Sequence, residues 1–250
     1  MYVKTLKLAR RWVDLEEAFL YASMVEAAPY AAGRLLDVGC GDKPYEALFR
    51  PHVREYIGVE YSATYDGSEY ARRGKADVVY SSDRLPFEEA EFDTVLCNQV
   101  AEHVPDPRHF IGDLARVLRP GGRLILTVPF SYRVHSAPDD FHRFTRYALE
   151  HYAKANGLTV DRLDPRGGFW SVVGQKLSAH VALHLARMGA DIQKVGAFGY
   201  ESAIAQKPRY WALPLAGPAI FGIATAARVL DRVDRDDTDT LGYTLIATKG

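Results

Sequence analysis

The segment Arg34–Gly41, RLLDVGCG, constrains this chain more than any other. An apolar run short enough for a buried strand passes directly into the pattern Asp37-x-Gly39-x-Gly41. Glycine lets the backbone turn sharply and approach a ligand with no Cβ in the way. A second apolar run, Glu55–Glu60 (EYIGVE), ends in an acid about twenty residues further on, where a carboxylate can accept hydrogen bonds from ribose hydroxyls. Where a dinucleotide loop carries its third glycine, this chain has Pro44, within GCGDKP. That disfavours NAD and suits a cofactor without phosphates.

Similar runs recur. Strands are expected at Arg34–Gly39, Glu55–Glu60, Asp77–Tyr80, Asp93–Asn98, Arg123–Phe130, Leu158–Asp164 and Gly242–Lys249. Helical patterns lie between them. Val3–Tyr30 carries a stripe of Trp12, Leu15, Phe19 and Ala22, and a short helix is expected over Pro44–Phe49. Pro107–Leu118 stops at RPGG, and Thr145–Asn156 ends at Gly157. The alternation implies an α/β fold: a doubly wound, mostly parallel, seven-stranded, Rossmann-like sheet with a helical insertion between the last two strands. Ligands of such sheets lie beyond the carboxyl ends of the strands. The chain is expected to be one domain, with residues 1–33 as a helical cover and 34–164 and 241–250 as the sheet core. Residues 165–240 form the insertion, a cover for an acceptor or a homodimer contact. The insertion holds an amphipathic pattern of Trp170, Val173, Leu177, Val181, Leu185 and Met188. It also holds an uncharged stretch, Tyr210–Ala227, and a charged run, Asp231–Asp239, expected to be a solvated loop.

The charge balance does not point to nucleic acid as a partner. With 31 basic and 32 acidic residues, no global field favours nucleic acid. Two cysteines, Cys40 and Cys97, allow no disulfide framework and suit a reducing cytoplasm. The N-terminal residues lack the apolar core of a secretory signal. Pro214 and Pro218 make the uncharged stretch a poor membrane span, and peripheral membrane contact stays open.

Four segments, LLDVGCG, YIGVEYS, LPFEEAEFDTVLCNQVAEHV and LARVLRPGGRLILTVPF, stand in order over Arg34–Phe130. On them the chain resembles the class I S-adenosylmethionine-dependent methyltransferases, of the methyltransferase type 11 group similar to the ubiquinone/menaquinone methyltransferases. The resemblance implies S-adenosyl-L-methionine as cofactor and a set of roles. Gly39, Cys40 and Gly41 pass under its methionine part. Asp37 organises that loop and reaches the amino group directly or through water, or only braces the loop. Glu60 holds the ribose hydroxyls, and Tyr61 lies on adenine or simply packs. Many relatives carry an aspartate four residues before L-P-F. Here Ser81 stands there, so Ser81, Ser82 or Asp83 is left to meet the adenine amino group. Asn98 borders the cofactor. His103 lines the same cleft or, with Glu102, fixes the next helix.

After the fifth strand, His135, Asp139, Asp140, His142 and Arg143 fall within nine residues. Methyl transfer from a sulfonium is an in-line displacement, and a hydroxyl acceptor gains from losing its proton. Histidine suits that task near neutral pH. His135 and His142 are therefore candidates for the base, with Asp139 orienting an imidazole or binding acceptor hydroxyls. The same residues can instead cap turns and pin the loop, or two histidines and a carboxylate can form a metal site, but the sequence does not set ligand directions and no metal site is assigned. The D-F-H-R-F-T stretch and the apolar insertion loosely resemble methyltransferases of glycan pathways, which implies a sugar or glycan hydroxyl as acceptor. A small aromatic or quinone-like acceptor, and a non-catalytic cofactor-binding partner protein, are the alternatives.

Overall fold

The computed structural model describes residues 12–62, 75–182 and 210–250. The elements are α1 (Leu15–Ala27), β1 (Arg34–Val38), α2 (Glu46–Phe49), β2 (Glu55–Tyr61), β3 (Val78–Tyr80), β4 (Phe92–Asn98), α3 (Pro107–Val117), β5 (Leu118–Pro129), α4 (Arg146–Ala155), β6 (Leu158–Arg166), α5 (Phe169–His180), α6 (Leu213–Val233) and β7 (Gly242–Lys249). The expected strands all form. The sheet has seven strands in the order β3-β2-β1-β4-β5-β7-β6. Strand β1 pairs in parallel with β2 and β4, as do β2 with β3 and β4 with β5. Strand β7 runs the other way: Gly250 N–H bonds the Gly157 carbonyl before β6, and Leu241 N–H bonds Arg166 at its end. Strand order reverses at β1/β4, so a crevice is expected beyond Val38 and Asn98.

The residues fall into two compact units. The first comprises Ser23–Pro129, His142–Asp164 and Tyr243–Gly250. Its central strands are apolar on both faces, as parallel strands under two helical layers must be. Leu35, Leu36, Val95, Leu96, Leu124, Ile125 and Leu126 are all fully buried. Met24, Ala27 and Ala28 pack with Leu35, Phe49, Tyr56, Leu96, Ile125 and Ile246 in one cluster. Helix α3 begins as its sequence dictates: Asp106 accepts the His109 N–H at 3.0 Å and Pro107 fills the first turn. Thr145 likewise caps α4 through the Ala148 N–H. The R-P-G-G segment ends α3, but the strand begins at once at Leu118 and contains it. Gly121, at φ +75°, and a register shift between Phe92 and Thr94 absorb the irregularity as a bulge.

The second unit contains Phe130–Phe141, Pro165–Gly242 and the N-terminal residues up to Ala22. Here α5 corrects the expected stripe. Val173 and Leu177 are exposed, and the buried face is Ser171, Val172, Gly174 and Ser178. Small residues let α5 and α6 approach closely: a Cβ on Gly174 would lie 2.5 Å from that of Ala227. Leu185 and Met188, and Val3–Arg11 of the first expected helix, lie outside the described residues. The run Asp231–Asp239 is not simply a solvated loop. Helix α6 continues to Val233, and the Asp231 carboxylate accepts the N–H groups of Gly168, Trp170 and Ser171 at 3.0–3.2 Å. A side chain distant in sequence thus caps α5 and complements its dipole. Among the described residues no helix is long and apolar enough to cross a membrane.

Candidate functional site

The loop after β1 is built from positive backbone angles. Gly39 and Gly41 have φ +69° and +52°, and Lys43, not a glycine, has φ +56°. Gly39 could carry no side chain: a Cβ there would lie 2.4 Å from Val100 Cγ2. The Gly39 and Cys40 N–H groups turn back onto the Val59 carbonyl, at 2.9 and 3.3 Å. Gly41 N–H donates to Glu60 Oε2 at 3.0 Å, and Tyr61 N–H to Glu60 Oε1 at 3.3 Å. The buried carboxylate that ends β2 therefore holds the glycine loop directly. Its own position is set by two backbone N–H groups, a charge-assisted arrangement.

Asp37 is buried beside it. The parallel register places Asp37 opposite Gly58 and Leu35 opposite Tyr56, so Tyr56, Gly58 and Glu60 share one face of β2. The Tyr56 hydroxyl donates to Asp37 Oδ2 at 2.6 Å. Burial pushes the Asp37 carboxyl up to about 7, against the Tyr56 hydrogen bond and with help from the Glu60 charge. Raised above its unfolded value, this group stabilises the fold fully below about pH 4 and loses that contribution as pH rises through about 7. The stability of the chain relative to Asp37→Asn is therefore expected to fall by a few kcal/mol between pH 4 and 7.5. Urea unfolding of both proteins at several pH values measures it, and parallel curves would refute it.

Cys40 is buried, its thiol 3.8 Å from the Gly41 carbonyl, and burial pushes it up to about 12. It offers the loop its backbone and no reactive thiolate. Tyr61 is 41% exposed at the end of β2, with Tyr80 edge-on at 5.4 Å. Ser81, Ser82 and Asp83 are all exposed after β3, and the Ser82 hydroxyl donates to the Arg84 carbonyl at 2.6 Å. That loop is held from α3: Asp113 accepts the Leu85 N–H at 2.6 Å, and Arg116 donates to the Phe87 and Leu85 carbonyls at 2.7 and 3.0 Å. Asn98 Oδ1 accepts the Thr127 hydroxyl at 2.6 Å at the ends of β4 and β5. His103 follows in a 3-10 turn, its Nε2 3.8 Å from the buried Glu102 carboxylate. Sequence reasoning missed Tyr56, Gly58, Asp113 and Arg116. A glycine inside a strand, Gly58, was the one local signal of a close approach.

The two histidines after β5 differ. In the second unit, the Asp140 carboxylate accepts the His135 backbone N–H at 2.9 Å and lies 3.4 Å from His135 Nδ1. The same Nδ1 is 3.3 Å from the Arg133 carbonyl, and Tyr132 meets the ring edge-on. The carboxylate beside the His135 ring is that of Asp140, whose side chain is almost fully buried, while Asp139 is exposed. The turn over Ser136–Asp140 points the second aspartate inward, a parity that the sequence does not display. In the sheet unit, His142 Nε2 lies 3.3 Å from the Pro105 carbonyl, its ring leans on Phe144, and its N–H bonds the Glu102 carbonyl. Those contacts anchor a loop.

Strand order, reversed last strand, glycine loop and terminal acid of β2 together define a class I methyltransferase fold. The family model described as a methyltransferase domain matches residues 9–163, and the chain belongs to that family, whose members use S-adenosylmethionine. An uncharacterized methyltransferase of Mycobacterium sp. (strain JLS) is 36% identical over 137 residues, covering 54% of this chain and 51% of that protein. Another, of Bacillus subtilis (strain 168), is 34% identical over 118 residues, 44% of each. The chain spans about half the length of the curated relatives it matches. Among solved structures, an S-adenosylmethionine-dependent methyltransferase from Mesorhizobium loti aligns with TM-score 0.53 at 12% identity, covering 94% of this chain and 100% of that one.

Proposed function

We propose that this chain transfers the methyl group of S-adenosylmethionine to a hydroxyl acceptor. The observation that carries the cofactor half is the Gly41 N–H bound to Glu60 at 3.0 Å, which joins the glycine loop to the acid that ends β2. The residues present fit the cofactor: no side chain is tolerated at Gly39, and two buried carboxylates share that corner of the sheet. Asp37 and the backbone of Gly39, Cys40 and Gly41 meet the methionyl part, Glu60 the ribose hydroxyls and Tyr61 the adenine face. Ser81, Ser82 or Asp83 takes the adenine amino group, and Asn98 and His103 border the cofactor. When bound, the cofactor supplies an electrophilic methyl on a sulfonium. The protein's task is then alignment and removal of the acceptor's proton.

For that proton the reading favours His135. Contacts from Asp140 and the Arg133 carbonyl to Nδ1 select the tautomer with hydrogen on Nδ1, which gives Nε2 the basic lone pair. A sugar or glycan hydroxyl is the proposed acceptor, because such a hydroxyl needs a base more than an acidic phenol does. A phenol or quinone-like acceptor is the second reading.

Calorimetry with S-adenosylhomocysteine tests the cofactor half. Glu60→Ala removes both the ribose acceptor and the tether of Gly41, and is expected to weaken binding by ~1–3 kcal/mol. Unchanged affinity would overturn the role of Glu60. Methyl-transfer assays on a panel of saccharides and phenols test the acceptor; turnover of phenols alone would favour the second reading.

A further inference from the structure

We propose that Lys43 and Asp77 form a strap that positions the glycine loop for the cofactor, and that Gly58 lacks a side chain so that the strap can pass. The proposal rests on reading Gly39–Gly41 as the cofactor loop.

Lys43 holds a left-handed backbone, φ +56°, where glycine would sit without strain. Its side chain supplies the reason for a lysine. The side chain is only 6% exposed, and Nζ donates to Asp77 Oδ2 at 2.5 Å. The same oxygen accepts the Gly58 N–H at 2.7 Å, while Asp77 N–H returns to the Gly58 carbonyl at 2.8 Å. Burial pushes the Asp77 carboxyl up, but the Gly58 N–H and the Lys43 ammonium outweigh it and hold it below the usual carboxylate range. The lysine reaches this partner by crossing β2 at Gly58. A Cβ there would lie 2.4 Å from Lys43 Cε and 2.7 Å from Cys40 Sγ. The aliphatic stem thus occupies the space that a side chain on β2 would fill.

Both ends of the strap reach the loop. Lys43 N–H closes a turn onto the Cys40 carbonyl at 2.8 Å. At the other end, two residues before Asp77, Lys75 N–H donates to the Gly41 carbonyl at 3.0 Å. Gly41 is therefore gripped through its N–H by Glu60 and through its carbonyl by the segment that Asp77 anchors. A loop fixed before the cofactor arrives loses less entropy on binding. Lys43 and Asp77 are positioning residues in this sense, acting through Gly41.

The test is S-adenosylhomocysteine affinity by calorimetry, together with exchange of the Gly41 amide by NMR. Lys43→Ala and Asp77→Asn are each expected to weaken binding about tenfold and to speed Gly41 exchange. Lys43→Gly is expected to do the same, although it relieves the backbone. Gly58→Ala should weaken binding in the native background and cost less in the Lys43→Ala background, because the stem it displaces is gone. Val172→Ala, in the other unit, calibrates what lost stability alone does to affinity. The proposal is overturned if Lys43→Ala binds within twofold of the native chain, if the Gly58 and Lys43 penalties simply add, or if Val172→Ala weakens binding equally. Native protein that binds no S-adenosylhomocysteine overturns the cofactor reading itself, and Gly41 exchange then decides whether the strap holds the loop.

Discussion

His135→Ala is expected to lower methyl transfer by ~10²–10⁴ while leaving S-adenosylhomocysteine affinity within twofold, the loss typical of a general base. The Asp140 contact makes a second, graded expectation. Asp140→Asn removes the charge beside Nδ1 but keeps an oxygen there, so a partial loss in kcat with little change in KM should follow. In the same variant the proportion of Nδ1–H tautomer should fall, which ring-nitrogen NMR reports without any acceptor. His142→Ala acts as the contrast. Its Nε2 meets the Pro105 carbonyl and its ring leans on Phe144, contacts that hold the loop, so its loss should lower stability and reduce turnover less than tenfold. Equal turnover losses in His135→Ala and His142→Ala would remove the distinction. Full activity in His135→Ala would show that alignment alone suffices.

The sheet was legible because buried parallel strands are written as contiguous apolar runs, so RLLDV and FDTVLCN announce themselves. The glycine loop and Glu60 were legible because positive φ and a strand-end acid both demand particular residue types. What stayed hidden was set by register and by distant partners. Tyr56 reaches Asp37 only because β2 pairs with β1 in a given register. Asp231 caps α5 from about sixty residues away, and no local pattern marks such a cap. The contact face of α5 misled because its largest apolar residues are not the ones that pack. Close helix approach is carried by Gly174, Ser171 and Ser178, which a search for bulky stripes ranks last. Which of Asp139 and Asp140 lies beside His135 is set by one turn, whose backbone no pair of neighbouring aspartates reveals.

Arg166→Met is expected to destabilise the unit built around α5 and α6 by ~3–5 kcal/mol, the cost of leaving a buried charge without its partner. Arg166 Nη1 donates to Glu16 Oε1 at 2.7 Å, and both side chains are buried. The other carboxylate oxygen, Glu16 Oε2, has no hydrogen-bond partner among the described residues. Burial already raises the Glu16 carboxyl above its usual range, against the pull of Arg166. Removing Arg166 leaves desolvation unopposed and raises it further. A raised carboxyl favours the folded state below its unfolded value, and that advantage is lost as pH climbs through the folded value. The Arg166→Met penalty should therefore be small near pH 4.5 and grow toward pH 8, where calorimetry should show a melting temperature roughly 10 °C lower. Replacing both partners with apolar residues, Glu16→Leu with Arg166→Met, removes the stranded charge as well as the pair, and should recover most of the loss. A double variant as unstable as Arg166→Met, or a penalty that does not change with pH, would mean that Arg166 acts through packing of its stem and not through the carboxylate it neutralises.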